Sequence, residues 1–370
     1  MLAYGRQENA IGGTSLDHHN ASRRPAKPVV VGTGLVALDV VIADNVTSDP
    51  KLCAGGTCGN VLTALAFLGW DSYPIARLRS DAASKCVLED LRFWGVKLDF
   101  ISLSDCGSTP VVVQHIRQNR DGQRSHSFSR KCPACGAWLP WYKAVRAATI
   151  PDLATRLPRA NVFYFDRTSR GAITLAQNAR KTGAMVVFEP SSESDPNLLK
   201  EALTAAHVVK VASDRIEGNE ALLHSRSPVL LIETLGVDGL RFLHRKRDGR
   251  RAWKKLSAFV EDVVRDSAGA GDWCTAGIIS SLGSLGPERL MRARTSDLVD
   301  ALKLGQAMAT WACRFEGARG GMYRSTKRDF KEAVQAILKG NPKAHAEFSY
   351  GASNSPRLST VWCDCCQIEA

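Results

Sequence analysis

Asp266-Ser267-Ala268-Gly269-Ala270-Gly271-Asp272 follows an apolar, β-branched run, Phe259-Val260 and Val263-Val264. It precedes Trp273-Cys-Thr-Ala-Gly-Ile-Ile-Ser-Ser-Leu282, which reads as a helix rich in small residues. Two glycines flank one alanine where that helix begins. Glycine lets the backbone approach a ligand closely and adopt unusual φ values. The first helical turn carries unpaired N–H groups and the positive end of the macrodipole. Together these features form an anion site, most naturally for a phosphate. Asp272 stands at its rim, placed to accept a proton from a hydroxyl nucleophile. A glycine-rich turn opening a helix is also a common structural device, so the rest of the chain has to decide.

Pro28-Val-Val-Val-Gly-Thr-Gly34 reads as a buried strand ending in a glycine turn. With Ala37 it approximates a dinucleotide fingerprint, but the following Leu38-Asp-Val-Val-Ile42 is strand-like where that fingerprint needs a helix. A nicotinamide site is therefore disfavoured. Ala54-Gly55-Gly56-Thr-Cys-Gly59-Asn60 leads into a helical pattern (Leu62, Leu65, Ala66) that ends at Gly69. Asn60 can be read there as a helix cap or as a ligand-binding amide. Thr109 to Ile116 and Gln123 to Phe128 alternate like two strands, with Asn119-Arg-Asp-Gly122 as their turn. From Asn161 onward, strands near 162–165, 184–188, 208–211 and 229–232 alternate with helices, which implies a covered parallel sheet. Ligands in such sheets sit at the C-terminal ends of the strands.

In order and spacing these stretches resemble the ribokinase-like (PfkB) carbohydrate and nucleoside kinases over roughly residues 28 to 325. The resemblance implies a three-layer α/β sandwich with a mainly parallel central sheet and a small β lid, drawn from about 38–54 and 108–131. It also implies ATP-dependent, Mg2+-assisted phosphoryl transfer to a hydroxyl of a sugar or nucleoside. Asp272 is then the catalytic base, and the Gly269, Ala270 and Gly271 amides form the anion hole. Asp39, Gly55, Gly56 and Asn60 hold the substrate. Thr234, Gly236 and Gly239, in Glu233-Thr-Leu-Gly-Val-Asp-Gly239, line the nucleotide together with Asp266. Lids of this family often pair in dimers. The sequence departs from the family at Lys210-Val-Ala-Ser-Asp-Arg-Ile-Glu217, where Arg215 or Ile216 occupies the position of the glutamate that helps organise Mg2+. Glu217 or Glu189 is the substitute. No Gly-x-x-x-x-Gly-Lys-[Ser/Thr] occurs, which disfavours a P-loop kinase.

Lys131-Cys132-Pro-Ala-Cys135-Gly136, opening an insertion over 131–142, resembles a zinc knuckle, and Cys363-Asp-Cys-Cys366 repeats the spacing. One tetrahedral Zn2+ shared by Cys132, Cys135, Cys363 and Cys366 would staple the C-terminal tail (341–370) beside the lid. Four separate reduced thiols are the other reading. Trp138, Trp141 and Tyr142 either stack on a nucleoside base or pack the zinc turn. The chain has 370 residues, 11 of them cysteine. An odd thiol count at this length argues against a secreted disulfide framework. Residues 1–27 are polar, lack the apolar core of a secretory signal, and read as a flexible leader of a cytoplasmic protein. No apolar run approaches the roughly 20 residues that span a bilayer, so no membrane partner is expected. The net charge of +12 includes basic clusters at 245–251 and 314–327. They read as a solvated face attracting phosphorylated ligands. A zinc-stabilised nucleic-acid binder is disfavoured because aromatic residues do not interleave with the charge. A non-catalytic nucleotide or sugar sensor of the same fold is the other alternative, supported by the altered 210–217 region.

Overall fold

The computed structural model describes residues 26–43, 50–118, 124–191, 195–215, 225, 227–245, 249, 251–261, 263–341, 363 and 366. The leader, the 119–122 turn, Glu217 and most of the tail lie outside the described residues. In chain order the strands are β1 (Val29–Thr33), β2 (Ala37–Ala43), β3 (Lys51–Gly55), β4 (Asp71–Leu78), β5 (Ile101–Leu103), β6 (Val111–Gln118), β7 (Arg124–Ser129), β8 (Val162–Phe165), β9 (Met185–Phe188), β10 (Val208–Ala212), β11 (Leu230–Thr234), β12 (Leu240–His244) and β13 (Trp253–Leu256). The helices are α1 (Thr57–Phe67), α2 (Ala82–Phe93), α3 (Ile150–Arg156), α4 (Arg170–Lys181), α5 (Pro196–Ala205), α6 (Ala270–Leu282), α7 (Gly286–Arg292), α8 (Thr295–Ala312), α9 (Gly320–Arg324) and α10 (Lys327–Leu338).

Among the described residues, nine strands form one sheet in the order β13-β12-β11-β10-β9-β8-β1-β4-β5. It is parallel except for β12 and β13, which run antiparallel at one edge. The pleat sorts its side chains by twos. Val30, Val162, Tyr164, Met185, Val187 and Val208 pack into a core shared with α1, α6, α8 and α10. The alternate residues Val31, Phe163, Phe165, Val186, Phe188 and Val209 pack with α4 and α5 on the other face. Burial on both faces is why these strands read as continuous apolar runs. The small residues of α6 have a packing reason. A Cβ on Gly277 would lie 2.7 Å from the Gly305 Cα, so α6 and α8 approach backbone to backbone.

A smaller, four-stranded sheet has the order β3-β2-β6-β7. Asp39 pairs with Val112, and Gln114 pairs with Phe128, which puts these four side chains on one face. Leu38 and Val40 point the other way, into the core. The ribokinase-like α/β sandwich with its smaller sheet is therefore present.

Two details differ from the sequence reading. The apolar, β-branched run before the motif is not buried, because Val260, Val263 and Val264 are exposed and lie outside any strand. The second basic cluster is not a solvated face throughout, because Arg314 and Arg319 are buried and paired with Glu261 and Asp90.

Candidate active site

Two helix N-termini and the C-terminal ends of the central strands meet at one place. Gly56 (φ 75°) precedes α1 and Gly269 (φ 75°) precedes α6. That is the left-handed region, which costs a side-chain-bearing residue roughly 1–2 kcal/mol. At position 269 space is short as well, since a Cβ there would sit 2.6 Å from Ala318. The Gly317–Ala318 turn thus packs against the glycine that opens α6. Gly269→Ala should cost roughly 2–4 kcal/mol from backbone strain and overpacking together. Chemical denaturation checks this, and a loss under 1 kcal/mol would mean that the loop relaxes freely.

Ala270, Gly271 and Asp272 form the first turn of α6, and Gly271 is exposed. Asn60 lies inside α1, one turn past its cap, so it is not the helix cap. Its Nδ2 donates to Asp272 Oδ2 at 2.7 Å. Its buried Oδ1 has no hydrogen-bond partner among the described residues. Burial, and then the negative charge of Glu189, push the Asp272 carboxyl up to about 7. The Asn60 hydrogen bond and Lys210 pull it partway back.

Glu189, one residue past β9, accepts from Lys210 Nζ at 2.6 Å, Thr275 Oγ1 at 2.7 Å and Tyr164 Oη at 3.3 Å. Burial disfavours the Lys210 charge, but Glu189 outweighs it and holds the ammonium's pKa above its ordinary value. This pair lies under α6. A Cβ on Gly271 would be 3.7 Å from Lys210 Nζ and 3.9 Å from Glu189 Oε1. A buried ammonium beneath the first turn of α6 adds fixed positive charge there. Glu189 therefore lies directly beneath that turn, where three donors already engage it.

Asp39 lies beside Gly55, where a Cβ would be 1.9 Å from its Oδ2, so only glycine fits. Burial raises the Asp39 carboxyl to about 7, against the pull of Arg319 and the Gly56 N–H. Asp166, which sequence reading missed, follows β8 directly. Its Oδ1 accepts from the Leu35 N–H at 3.0 Å and its Oδ2 from Arg167 at 2.9 Å. Burial raises its carboxyl to about 6. Its signal was positional: an acid immediately after a buried strand whose parallel neighbours all end at the site. In the sequence Lys210 stands out only as the start of the 210–217 departure from the family pattern.

Thr234 ends β11, and Gly236 and Gly239 bound the short turn before β12. That turn touches the chain after β13, since a Cβ on Gly239 would lie 2.1 Å from the Leu256 carbonyl oxygen. Exposed Val237 and Val260 stand on these two adjoining loops.

Asp266 differs from expectation. Its Oδ1 accepts from Ala268 N–H at 2.9 Å and lies 3.0 Å from His126 Nδ1. Its Oδ2 accepts from Gln114 Nε2 at 2.5 Å and Gly317 N–H at 2.8 Å. Despite burial, these donors hold its pKa below the usual value. The carboxylate therefore ties the α6 loop to the smaller sheet and offers no free oxygen to a nucleotide.

The four thiols read as a metal set converge. Cys132 and Cys366 sulfurs are 3.8 Å apart, as are those of Cys135 and Cys363. Trp138 and Trp141 line a groove of about 450 Å³ with Val112, Phe128, Arg130 and Lys131, whereas Tyr142 is largely enclosed. No helix among the described residues is long and apolar enough to cross a membrane.

A fructokinase from Klebsiella pneumoniae is 26% identical over 307 residues, covering 77% of this chain and 92% of the relative. Among solved structures, fructokinase from Xylella fastidiosa with bound ATP superposes with a TM-score of 0.63 at 20% identity, covering 85% of this chain and 99% of that one. Aminoimidazole riboside kinase from Salmonella enterica, complexed with aminoimidazole riboside and an ATP analogue, gives 0.60 at 19%, with 84% and 99% covered. The family model for pfkB carbohydrate kinases matches residues 30–323, a span that takes in both sheets, both glycine-opened helices and Asp272. The chain therefore belongs to the pfkB family of carbohydrate kinases.

Proposed function

We propose that this protein transfers the γ-phosphoryl group of ATP to a hydroxyl of a sugar or nucleoside, with Asp272 as the base. The observation that carries this reading is the Asn60–Asp272 pair at the start of α6. A carboxylate with a raised pKa sits 2.7 Å from an amide whose other polar atom, Asn60 Oδ1, is buried and unmet. An acceptor bound there donates the proton of its reacting hydroxyl to Asp272, while a second hydroxyl of the same acceptor gives Asn60 Oδ1 its missing donor. Phosphoryl transfer passes through a loose transition state, so the hydroxyl loses its proton late and a carboxylate suffices. Most of the acceleration then comes from positioning and from the Gly269, Ala270 and Gly271 amides with Lys210 behind them. Asp39, Gly55 and Gly56 hold the rest of the acceptor. Thr234, Gly236 and Gly239, with Val237 and Val260, flank the nucleotide. Mg2+, entering with ATP, would neutralise charge on the phosphates, and Glu189 is the carboxylate this reading assigns to organising it. The smaller sheet acts as a lid that keeps water from competing with the acceptor. Pairing of two chains through that sheet and residence in the cytoplasm belong to the same reading.

ADP release from ATP and Mg2+ across a panel of sugars and nucleosides tests it. Turnover with one acceptor class, absent in Asp272→Asn, is the expected result. Silence across the panel with ATP still bound would favour a binding protein of the same fold.

A further inference from the structure

The four cysteines that no step of phosphoryl transfer uses lie close together although 228 and 234 residues separate the partners in sequence. All four sulfurs fall within 4.8 Å of one another. Two pairs sit at 3.8 Å. A zinc tetrahedron with Zn–S bonds of about 2.3 Å has edges of about 3.8 Å, whereas a disulfide brings its sulfurs to about 2.05 Å. The spacing is that of ligands around a common centre.

The local backbone is built for the same purpose. Gly136 (φ 73°) turns the chain directly after Cys135. Cys132 N–H donates to Ala137 O at 2.8 Å, and Gly136 N–H donates to Cys132 O at 2.9 Å. The Ala137 N–H points at the Cys135 sulfur. On the far side, Cys366 N–H donates to Cys363 O at 3.0 Å, closing a second turn of the same spacing. Cys132 and Cys363 are buried in the main core, and Cys135 is exposed.

We propose that Cys132, Cys135, Cys363 and Cys366 bind one structural Zn2+ that fastens the C-terminal segment to the smaller sheet and fixes one wall of the groove beside it. Binding replaces four S–H bonds with four Zn–S bonds and releases four protons to solvent, with no change of oxidation state. Four protein ligands fill the coordination sphere, so the metal is structural and takes no part in the chemistry.

The connection to the groove runs through backbone contacts. Leu139 N–H donates to Arg130 O at 2.8 Å, Val111 N–H to Pro140 O at 3.3 Å, and Ser108 Oγ to Trp141 O at 2.5 Å. The knuckle thereby sits on the start of β6. It presents Trp138 and Trp141, with the Arg130 guanidinium 5.5 Å and 4.7 Å from their ring centres, to the groove that Val112 also lines. Val112 shares a sheet face with Asp39. A change in the knuckle should therefore act on acceptor binding, not on the phosphoryl-transfer step.

The test is elemental analysis of the full chain, purified under reducing conditions without chelator from zinc-supplemented medium. About one zinc per chain is expected, falling to near zero in Cys363→Ser/Cys366→Ser. Because that variant can misfold, a second measurement uses the unaltered protein. Titration with a mercurial thiol reagent should release one equivalent of zinc, read by a chromogenic chelator, as four thiols react. Iron in place of zinc, or two disulfides without metal, would overturn the proposal, as would one zinc retained in the double variant. The readout is independent of kinase activity, so it stands whether or not the acceptor panel succeeds.

Discussion

Asp272→Asn is expected to lower kcat by about 10²–10⁴-fold, the usual contribution of a general base, while ATP binding stays within a few-fold. Asparagine keeps the shape and can still bond Asn60, but it cannot take a proton. The pH profile supplies a second readout. The Asp272 carboxyl is raised to about 7, chiefly by burial. The base is active only when ionised, so kcat/KM should climb as pH rises through about 7, and this limb should be missing from the residual activity of the variant. Stability moves in the opposite direction. A carboxyl that titrates near 7 when folded and near 3.8 when unfolded binds more protons in the native state over that interval. Native stability is therefore lost as pH rises through it. Asp272→Asn removes that loss, so its Tm at pH 8 should equal or exceed that of the unaltered protein. An inactive variant with a lowered Tm would point to misfolding; a fully active one would remove Asp272 from the mechanism.

The opening of α6 was legible because its constraints are local. A glycine that opens α6 at positive φ and a carboxylate in the first turn of that helix both leave their mark within the seven residues 266–272. The four cysteines were legible for another reason: Cys-x-x-Cys is rare enough that two copies at distant points suggest one ligand set. Residues that act across the fold left no such mark. Asp266 looked like part of the phosphate loop, but its oxygens are taken by Gln114 on β6, by Gly317 and by Ala268, with His126 on β7 at ion-pair distance. Apart from Ala268, those partners lie in three distant segments, and nothing in the motif announces them. Lys210 was hidden in a buried strand because its partner Glu189 stands just past the end of the neighbouring one.

Arg319→Met is expected to cost about 3–5 kcal/mol, the usual loss on breaking a buried ion pair from one side. The basic stretch around it looked solvated in sequence, yet Arg319 is 1% exposed and Asp90 is fully buried. The guanidinium donates to the Asp90 carboxylate and to the Ala54 carbonyl oxygen. Asp90 also accepts from the Ala54 N–H at 2.7 Å and from Tyr323 Oη at 2.9 Å. Methionine fills the volume but leaves Asp90 buried without a counter-charge. With domain stabilities of about 5–15 kcal/mol, such a loss takes a large share of the total. Chemical denaturation measures it directly, and a change below about 1 kcal/mol would show that Tyr323 and the Ala54 N–H suffice. Asp90→Asn added to Arg319→Met should recover part of the loss, because the buried charge goes with it. A second effect reaches the site. Ala54 precedes Gly55, and the Arg319 charge pulls the Asp39 carboxyl down from where burial would leave it. Without that charge Asp39 should hold its proton to higher pH. Acceptor KM should then rise most below neutrality, and the rise should shrink as pH increases. A KM change of equal size at every pH would leave Arg319 a purely structural role.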